Sequence, residues 1–304
     1  MKWSRLIIPL PALAGLLISV WMNSGAVAAP ILRINIDIGT VMLFLGIFVS
    51  ILAWLAAYSF NWTKSIRVVA ANDAAKDRRR FLQRLDHELK NPLTAILAGL
   101  ANLSVGGSAT NQNASLISVE AQVKRLRDLV ADLRKMADLE TREIERETVD
   151  LTLLIGGVVG LITESADLEG RKLLTSIPQA PWPLPKIQGD WDLLFLALHN
   201  LIENSIKFTA PEDTIEVRAL EDNSDVVIEV ADTGPGIPED EVGEVWDELF
   251  RGKGARGIPG SGLGLALVKA IILRHGGFVN LRSRAGQGTV FSLRLPVPES
   301  LRSS

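Results

Sequence analysis

The chain has 304 residues, 47% of them apolar, a net charge of −3 and no cysteine. The missing cysteine excludes disulfides, thiolate nucleophiles, iron–sulfur clusters and cysteine-type zinc sites, and the near-neutral charge gives no case for a nucleic-acid binder. His87, His199 and His275 lie far apart without metal-ligand spacing, and a single Tyr argues against an aromatic nucleic-acid platform.

The positive mean hydropathy is concentrated at the N-terminus. Leu6–Met22 is an apolar run of 17 residues and Ile38–Phe60 an uncharged run of 23. At 1.5 Å rise per residue the second reaches about 34 Å, enough to cross a hydrocarbon core with some tilt. Lys2 and Arg5 precede the first run, and Lys64, Arg67, Lys76, Arg78, Arg79 and Arg80 follow the second. The positive-inside rule then puts both flanks in the cytoplasm and a short loop outside. Residues 1–63 are therefore expected to be an anchor of two transmembrane helices in the cytoplasmic (inner) membrane, with the bulk of the chain in the cytoplasm. Lys2 and Arg5 before an apolar stretch, with Ala26-Val27-Ala28 after it, also match a cleaved signal peptide; the length of the stretch favours a retained anchor. The outer loop is too short to bury a core, so a signal enters through membrane lipid, a partner membrane protein or a small ligand at the helix ends.

Residues 64–80 read as a linker helix and 81–140 as a helical hairpin. Leu82, Leu85, Leu89, Leu93, Ile96, Leu100 and Leu103 recur at helical steps, as do Leu116, Val119, Val123, Leu126, Val130, Leu133 and Met136. The polar, glycine-containing stretch Ser104–Gln112 separates the two stripes. Two amphipathic helices cannot close a core alone, and a homodimeric four-helix bundle is the simplest way to cover both stripes. His87 falls off its stripe and is expected to face solvent. Pro92, one turn on, removes a backbone donor from mid-helix and is predicted to weaken or bend it, at a cost of ~3 kcal/mol that a purely structural helix has no reason to accept.

The run His87-Glu88-Leu89-Lys90-Asn91-Pro92-Leu93-Thr94 resembles the phosphoacceptor box of sensor histidine kinases. A neutral imidazole nitrogen can attack a γ-phosphoryl group near pH 7. The resemblance implies that His87 takes the phosphoryl group and that Glu88 holds the ring. It also implies that Asn91 helps position water for dephosphorylating a response regulator.

Residues 148–298 mix helical and strand patterns, which suggests an α/β sandwich with helices over one face of a mixed sheet. The spacing predicts helices over Asp192–Phe208 and Gly262–Arg274. Strands are predicted over Thr214–Leu220, Val226–Ala231, Gly277–Ser283 and Thr289–Leu295. Asn200 and Asn204 share a helix face, where two amide oxygens can hold Mg²⁺ together with phosphate oxygens. Lys207 follows as a point charge for phosphate. Asp232-Thr233-Gly234-Pro235-Gly236 ends a strand, and a buried carboxylate there can accept from an adenine amino group. Gly260-Ser261-Gly262-Leu263-Gly264 opens a helix whose backbone N–H groups can meet an anion. Gly286-Gln287-Gly288-Thr289 enters the last strand.

In this order the four clusters resemble the nucleotide boxes of the Bergerat-type ATP-binding domain shared by histidine kinases, gyrase-type ATPases and Hsp90-like chaperones. The resemblance implies ATP with Mg²⁺ at Asn200 and Asn204, adenine at Asp232 with help from Thr289, and phosphates at Gly262 and Gly264. It extends the nucleotide site to Lys207, Gly234, Gly236, Gly260 and Leu263. Val245–Arg251 departs from the family: Trp246 and Leu249 stand at its phenylalanine positions and Glu248 at its arginine, while Phe250 and Arg251 follow normally and belong to the expected site. The fold expected is α+β: two transmembrane helices, the dimeric hairpin and the sandwich domain. The function implied is a membrane-bound sensor histidine kinase that phosphorylates itself on His87 and passes the group to an aspartate of a cytoplasmic response regulator. A membrane-tethered nucleotide-binding scaffold and a phosphatase-biased sensor without autokinase activity remain the alternatives.

Overall fold

The structure is a computed structural model that describes residues 48, 50 and 55 and, apart from 105–108, 166–167, 169, 180–182 and 256, residues 75–301. The chain divides into two units, Met1–Asp73 and Ala74–Ser304. In the first, Phe48, Ser50 and Leu55 are helical. Apart from these three residues, the expected spans at 6–22 and 38–60 lie outside the described residues, as do the signal-peptide reading and residues 64–74 of the expected linker. Among the described residues no helix is long and apolar enough to cross a membrane.

The second unit opens with helix α1 over residues 75–104 and helix α2, Ala109–Thr141. Helical structure resumes at Ala109, inside the predicted break. Gly99 lets the two helices close: a Cβ there would stand 2.6 Å from Val119 Cγ2. Helix α1 continues through Pro92, which is buried. Leu85 and Leu89 pack with Leu129 and Leu133. Leu82, Leu93, Leu97, Leu100, Leu116, Ile117, Val123 and Val130 stay exposed on this single chain.

Strand β1 (Glu147–Val149) pairs with β3 (Ile187–Gly189) in a small antiparallel sheet. Between them come helix α3 (Leu151–Ser165) and strand β2 (Lys172–Ser176). Asp150 caps α3 by accepting from the N–H groups of Thr152 and Leu153 at 3.0 and 3.3 Å. Helix α4, Trp191–Phe208, is capped in the same manner by Asp190, which accepts from Leu193. Strands β4 (Thr214–Asp222), β5 (Asp225–Asp232), β6 (Phe278–Arg284) and β7 (Gly288–Pro296) complete a five-stranded sheet in the order β2-β4-β5-β7-β6, parallel at β2·β4 and antiparallel elsewhere. Helix α5 (Glu239–Val242) and helix α6 (Gly264–Arg274) lie between β5 and β6 in sequence.

Period-2 patterning splits the sheet into two faces. Val217, Val230 and Phe291 are directly registered across β4, β5 and β7 and join the core formed with α3, α4 and α6. On the other face Glu229 accepts from Arg218 at 2.7 Å and from Arg282 and Ser292 at 3.1 Å. Arg218 and Arg282 hold its carboxyl below the usual range against the opposing effect of burial. This is the helix-covered mixed sheet expected from the sequence.

Candidate nucleotide site and phosphoacceptor helix

The sheet end places the first polar anchor. Asp232 is the last residue of β5, registered with Thr289 of β7 and Ile215 of β4. Its Oδ1 accepts from the Gly234 N–H at 3.0 Å. Burial pushes its carboxyl above the usual aspartate range. The N–H groups of Gly234 and Thr289 and the Ser205 hydroxyl work against that, and Asp213 adds to it. Ser205 is 1% exposed, and its hydroxyl makes no hydrogen bond of ordinary geometry among the described residues. A half-buried carboxylate on a cavity wall is a group left for a ligand to satisfy.

That cavity has a volume of about 360 Å³. Asp232, Gly236, Thr289, Asn200, Asn204, Lys207, Phe250, Arg251, Gly260, Gly262 and Gly264 all line it. The glycines keep it open. Gly236 has φ +68° and any Cβ would overlap the Arg284 carbonyl. Gly262 has φ +76° and a Cβ would come within 2.8 Å of the Phe250 carbonyl. That backbone also explains why α6 begins at Gly264 and not at Gly262. The helix has no side-chain cap and no acid in its first turn, so its N-terminal N–H groups lack the usual partners.

Asn200 donates from Nδ2 to the Leu196 carbonyl at 2.8 Å, while its Oδ1 lies 3.2 Å from where a Cβ of Gly264 would stand. The amide oxygen is thus turned toward the glycine loop. Among the described residues no group of three or more His, Asp or Glu could hold a metal by itself, so Mg²⁺ fits here only together with phosphate oxygens. Lys207 pairs with Glu203 at 3.4 Å, and both line the cavity.

Two expected site residues are elsewhere. Leu263 is 1% exposed and packs with Leu129 and Leu249, so its side chain serves the seat against the hairpin and not a ligand. Gly234 is off the wall and acts on Asp232 through its N–H.

His87 is exposed on α1, as its place off the stripe predicts, and so is Asn91. Neither lines the cavity. Glu88, expected to hold the ring of His87, is instead turned across the hairpin to Arg125, with Oε2 2.6 Å from the guanidinium. This pair lies close enough to Arg251 to act on its charge.

The sequence reading missed the residues that join hairpin and sheet domain. Arg84, one turn before Glu88, donates to Asp247 Oδ2 at 3.3 Å and to the Glu248 carbonyl at 3.1 Å. Glu248 occupies the family's arginine position, yet a guanidinium is present there, supplied by α1. Asp132 and Lys135 of α2 reach the cavity itself. At the other end Arg274 binds the carbonyls of Leu139 and Arg142, and Arg142 reaches Asp190 at 3.3 Å. Charged residues flanking an apolar stripe were the available signal, but the stripe does not say which of them finds a distant partner.

Comparison with known proteins agrees with this division. Residues 77–142 match the family described as "His Kinase A (phospho-acceptor) domain", and residues 189–299 the family described as "Histidine kinase-, DNA gyrase B-, and HSP90-like ATPase". The sensor protein SrrB of Staphylococcus aureus (strain NCTC 8325 / PS 47) is 31% identical over 230 residues, 73% of this chain; the chain spans 38% of that relative's length. Full-length ShkA in complex with AMPPNP is 29% identical with a TM-score of 0.51, the match covering 71% of this chain and 45% of that one. The histidine kinase ThkA in complex with the response regulator TrrA has a TM-score of 0.59 at 20% identity, covering 75% and 66%, and shows likeness of fold. A phosphoacceptor hairpin followed by a Bergerat-type ATPase domain, in this order, places the chain in the sensor histidine kinase family.

Proposed function

We propose that the chain is an ATP-dependent protein-histidine kinase that modifies itself on His87. The observation that carries this is the pairing of an exposed imidazole on α1 with a separate, glycine-walled cavity ending in a half-buried carboxylate. Asp232 would receive the adenine amino group. The N-terminus of α6 and Lys207 would meet the phosphates, and Asn200 and Asn204 would hold Mg²⁺, which neutralises charge on the phosphate tail. A ring nitrogen of His87 forms a bond to the γ-phosphorus while the bond to the β–γ bridging oxygen breaks and ADP departs. The phosphoryl group then passes to an aspartate carboxylate of a response regulator. Catalysis of this kind is mainly positioning and charge stabilisation. In this seat His87 is not on the cavity wall of its own chain, so transfer within one chain requires the ATPase domain to leave it.

The uncovered apolar residues of α1 and α2 support a homodimer. Asn91, exposed at i+4 from His87, supports a second activity as phospho-regulator phosphatase, and the uncharged runs at 6–22 and 38–60 support a membrane anchor with the catalytic part in the cytoplasm. The test is incubation of the full-length chain with γ-labelled ATP. An acid-labile, base-stable label lost in His87→Ala is expected; equal labelling of the variant overturns the assignment.

A further inference from the structure

The phosphate end of the cavity already contains an anion of the protein's own. Ser261 sits between the two glycines of the loop and donates from Oγ to Asp132 Oδ2 at 2.6 Å. The same Oγ accepts from the Leu263 N–H at 3.2 Å. The other oxygen of Asp132 accepts from Lys135 Nζ at 3.0 Å. Asp132 and Lys135 come from α2, yet both line the cavity beside Gly260, Gly262 and Gly264. A carboxylate from the hairpin thus gathers one hydroxyl and one ammonium at a helix N-terminus that has no side-chain cap and no acid of its own.

Those are the donors a phosphate group takes. A short bond from a hydroxyl to a carboxylate is charge-assisted and stronger than a neutral one. It also cannot coexist comfortably with a phosphate tail: two anions competing for the same donors a few ångströms apart repel in a partly desolvated site. We propose that Asp132 is a built-in competitor of the nucleotide's phosphate tail, holding Ser261 and Lys135 until the terminal phosphates of a nucleoside triphosphate take both donors over. Lys135 then becomes a phosphate contact contributed by the dimerisation helix. This rests on the cavity being the nucleotide site.

The test compares a ligand that has phosphates with one that has none. The full-length chain is titrated with Mg·AMPPNP and, separately, with adenosine. Asp132→Asn keeps the shape but removes the charge and is expected to tighten Mg·AMPPNP binding about ten-fold while leaving adenosine binding unmoved. Asp132→Ser, a second uncharged replacement, should do the same. Lys135→Gln should weaken Mg·AMPPNP and leave adenosine alone. Unchanged or weaker Mg·AMPPNP binding in both Asp132 variants, with wild-type binding intact, overturns the competitor and leaves the nucleotide site standing. A wild-type chain that takes up neither ligand overturns the nucleotide site itself.

Discussion

The guanidinium carbon of Arg84 stands 5.7 Å from the centroid of the Phe250 ring, so a residue of α1 one turn before Glu88 covers an aromatic of the ATPase domain. Its hydrogen bonds to Asp247 and Glu248 hold the same stretch. Beneath them Leu249, in left-handed backbone at φ +59°, is pressed to 3% exposure with Leu129 and Leu263. A branched residue held at positive φ marks a conformation imposed by its surroundings. Because Arg84 and Asp247 are partly exposed, the pair is worth only about 1 kcal/mol, but the cation–π contact adds about as much. Arg84→Ala should therefore loosen the seat: amides of residues 246–250 exchange faster with deuterium. Because His87 is off the cavity wall in the seated form, initial autophosphorylation at saturating ATP should rise. A slower initial rate with faster exchange would mean that the seat lies on the path to transfer.

Asp232 sets stability against binding. Burial pushes its carboxyl up, so without a ligand the neutral form is favoured more than in an ordinary aspartate. With the folded value above the unfolded one, ionisation weakens the fold as pH rises through that window. Asp232→Asn removes the buried charge and keeps an oxygen to accept from Gly234. The ligand-free chain should unfold at a higher temperature than wild type, yet lose its thermal shift with Mg·AMPPNP. Below neutral pH, wild-type nucleotide affinity should fall as the carboxylate protonates at a higher pH than an ordinary aspartate. A variant that is both less stable and still ligand-responsive contradicts the role given to this residue.

Much of this was legible in the sequence because it is local. Asn200 and Asn204 share a face by spacing alone, and the predicted strands Thr214–Leu220 and Val226–Ala231 each extend by one or two residues in the structure. Helix α3 was not legible: LTLLIGGVVGLITES carries three glycines and several β-branched residues, all weak helix formers. Only the capping Asp150 announces it. Strand β2 is a short edge whose parallel partner β4 lies 42 residues on at Lys172↔Thr214, a non-local pairing with no pattern of its own. The glycine loop reads as ligand-facing throughout, whereas its one large side chain, Leu263, is buried against the hairpin. The contacts of Arg84 and Asp132 join residues more than 100 positions apart, and periodicity holds no information at that range.

His275 makes the domain acid-sensitive. The ring is 2% exposed, accepts at Nε2 from the Asp190 N–H at 3.0 Å, and meets the Ile271 carbonyl at 2.7 Å through Nδ1. This arrangement requires the neutral ring with its proton on Nδ1. Burial lowers its pKa, chiefly against the helping effect of Ile271 and Asp190. The unfolded chain therefore binds the proton more tightly, and stability present above the ordinary histidine pKa of about 6.5 is lost as pH falls through the lowered folded value. Thermal unfolding between about pH 7.5 and 5 should show this decline. In His275→Asn the chain should be less stable throughout but its profile flatter across that window. Parallel profiles would assign the acid sensitivity to another group.

Arg251 holds the segment over the cavity by a fork that no other residue type supplies. One nitrogen donates to the Gly260 carbonyl at 2.9 Å, the other to Ala255 and Ile258 at 2.9 and 2.6 Å. Burial lowers its pKa, Arg125 adds to that and Glu88 opposes it. A lysine keeps the charge but cannot span three carbonyls in a plane. Arg251→Lys should leave residues 252–260 without their central tie, raising the KM for ATP by about ten-fold. Amides of residues 252–255 should exchange faster with deuterium in the variant and should slow again with Mg·AMPPNP. Unaltered exchange there would show that the segment is held by its own turns and that the fork is incidental.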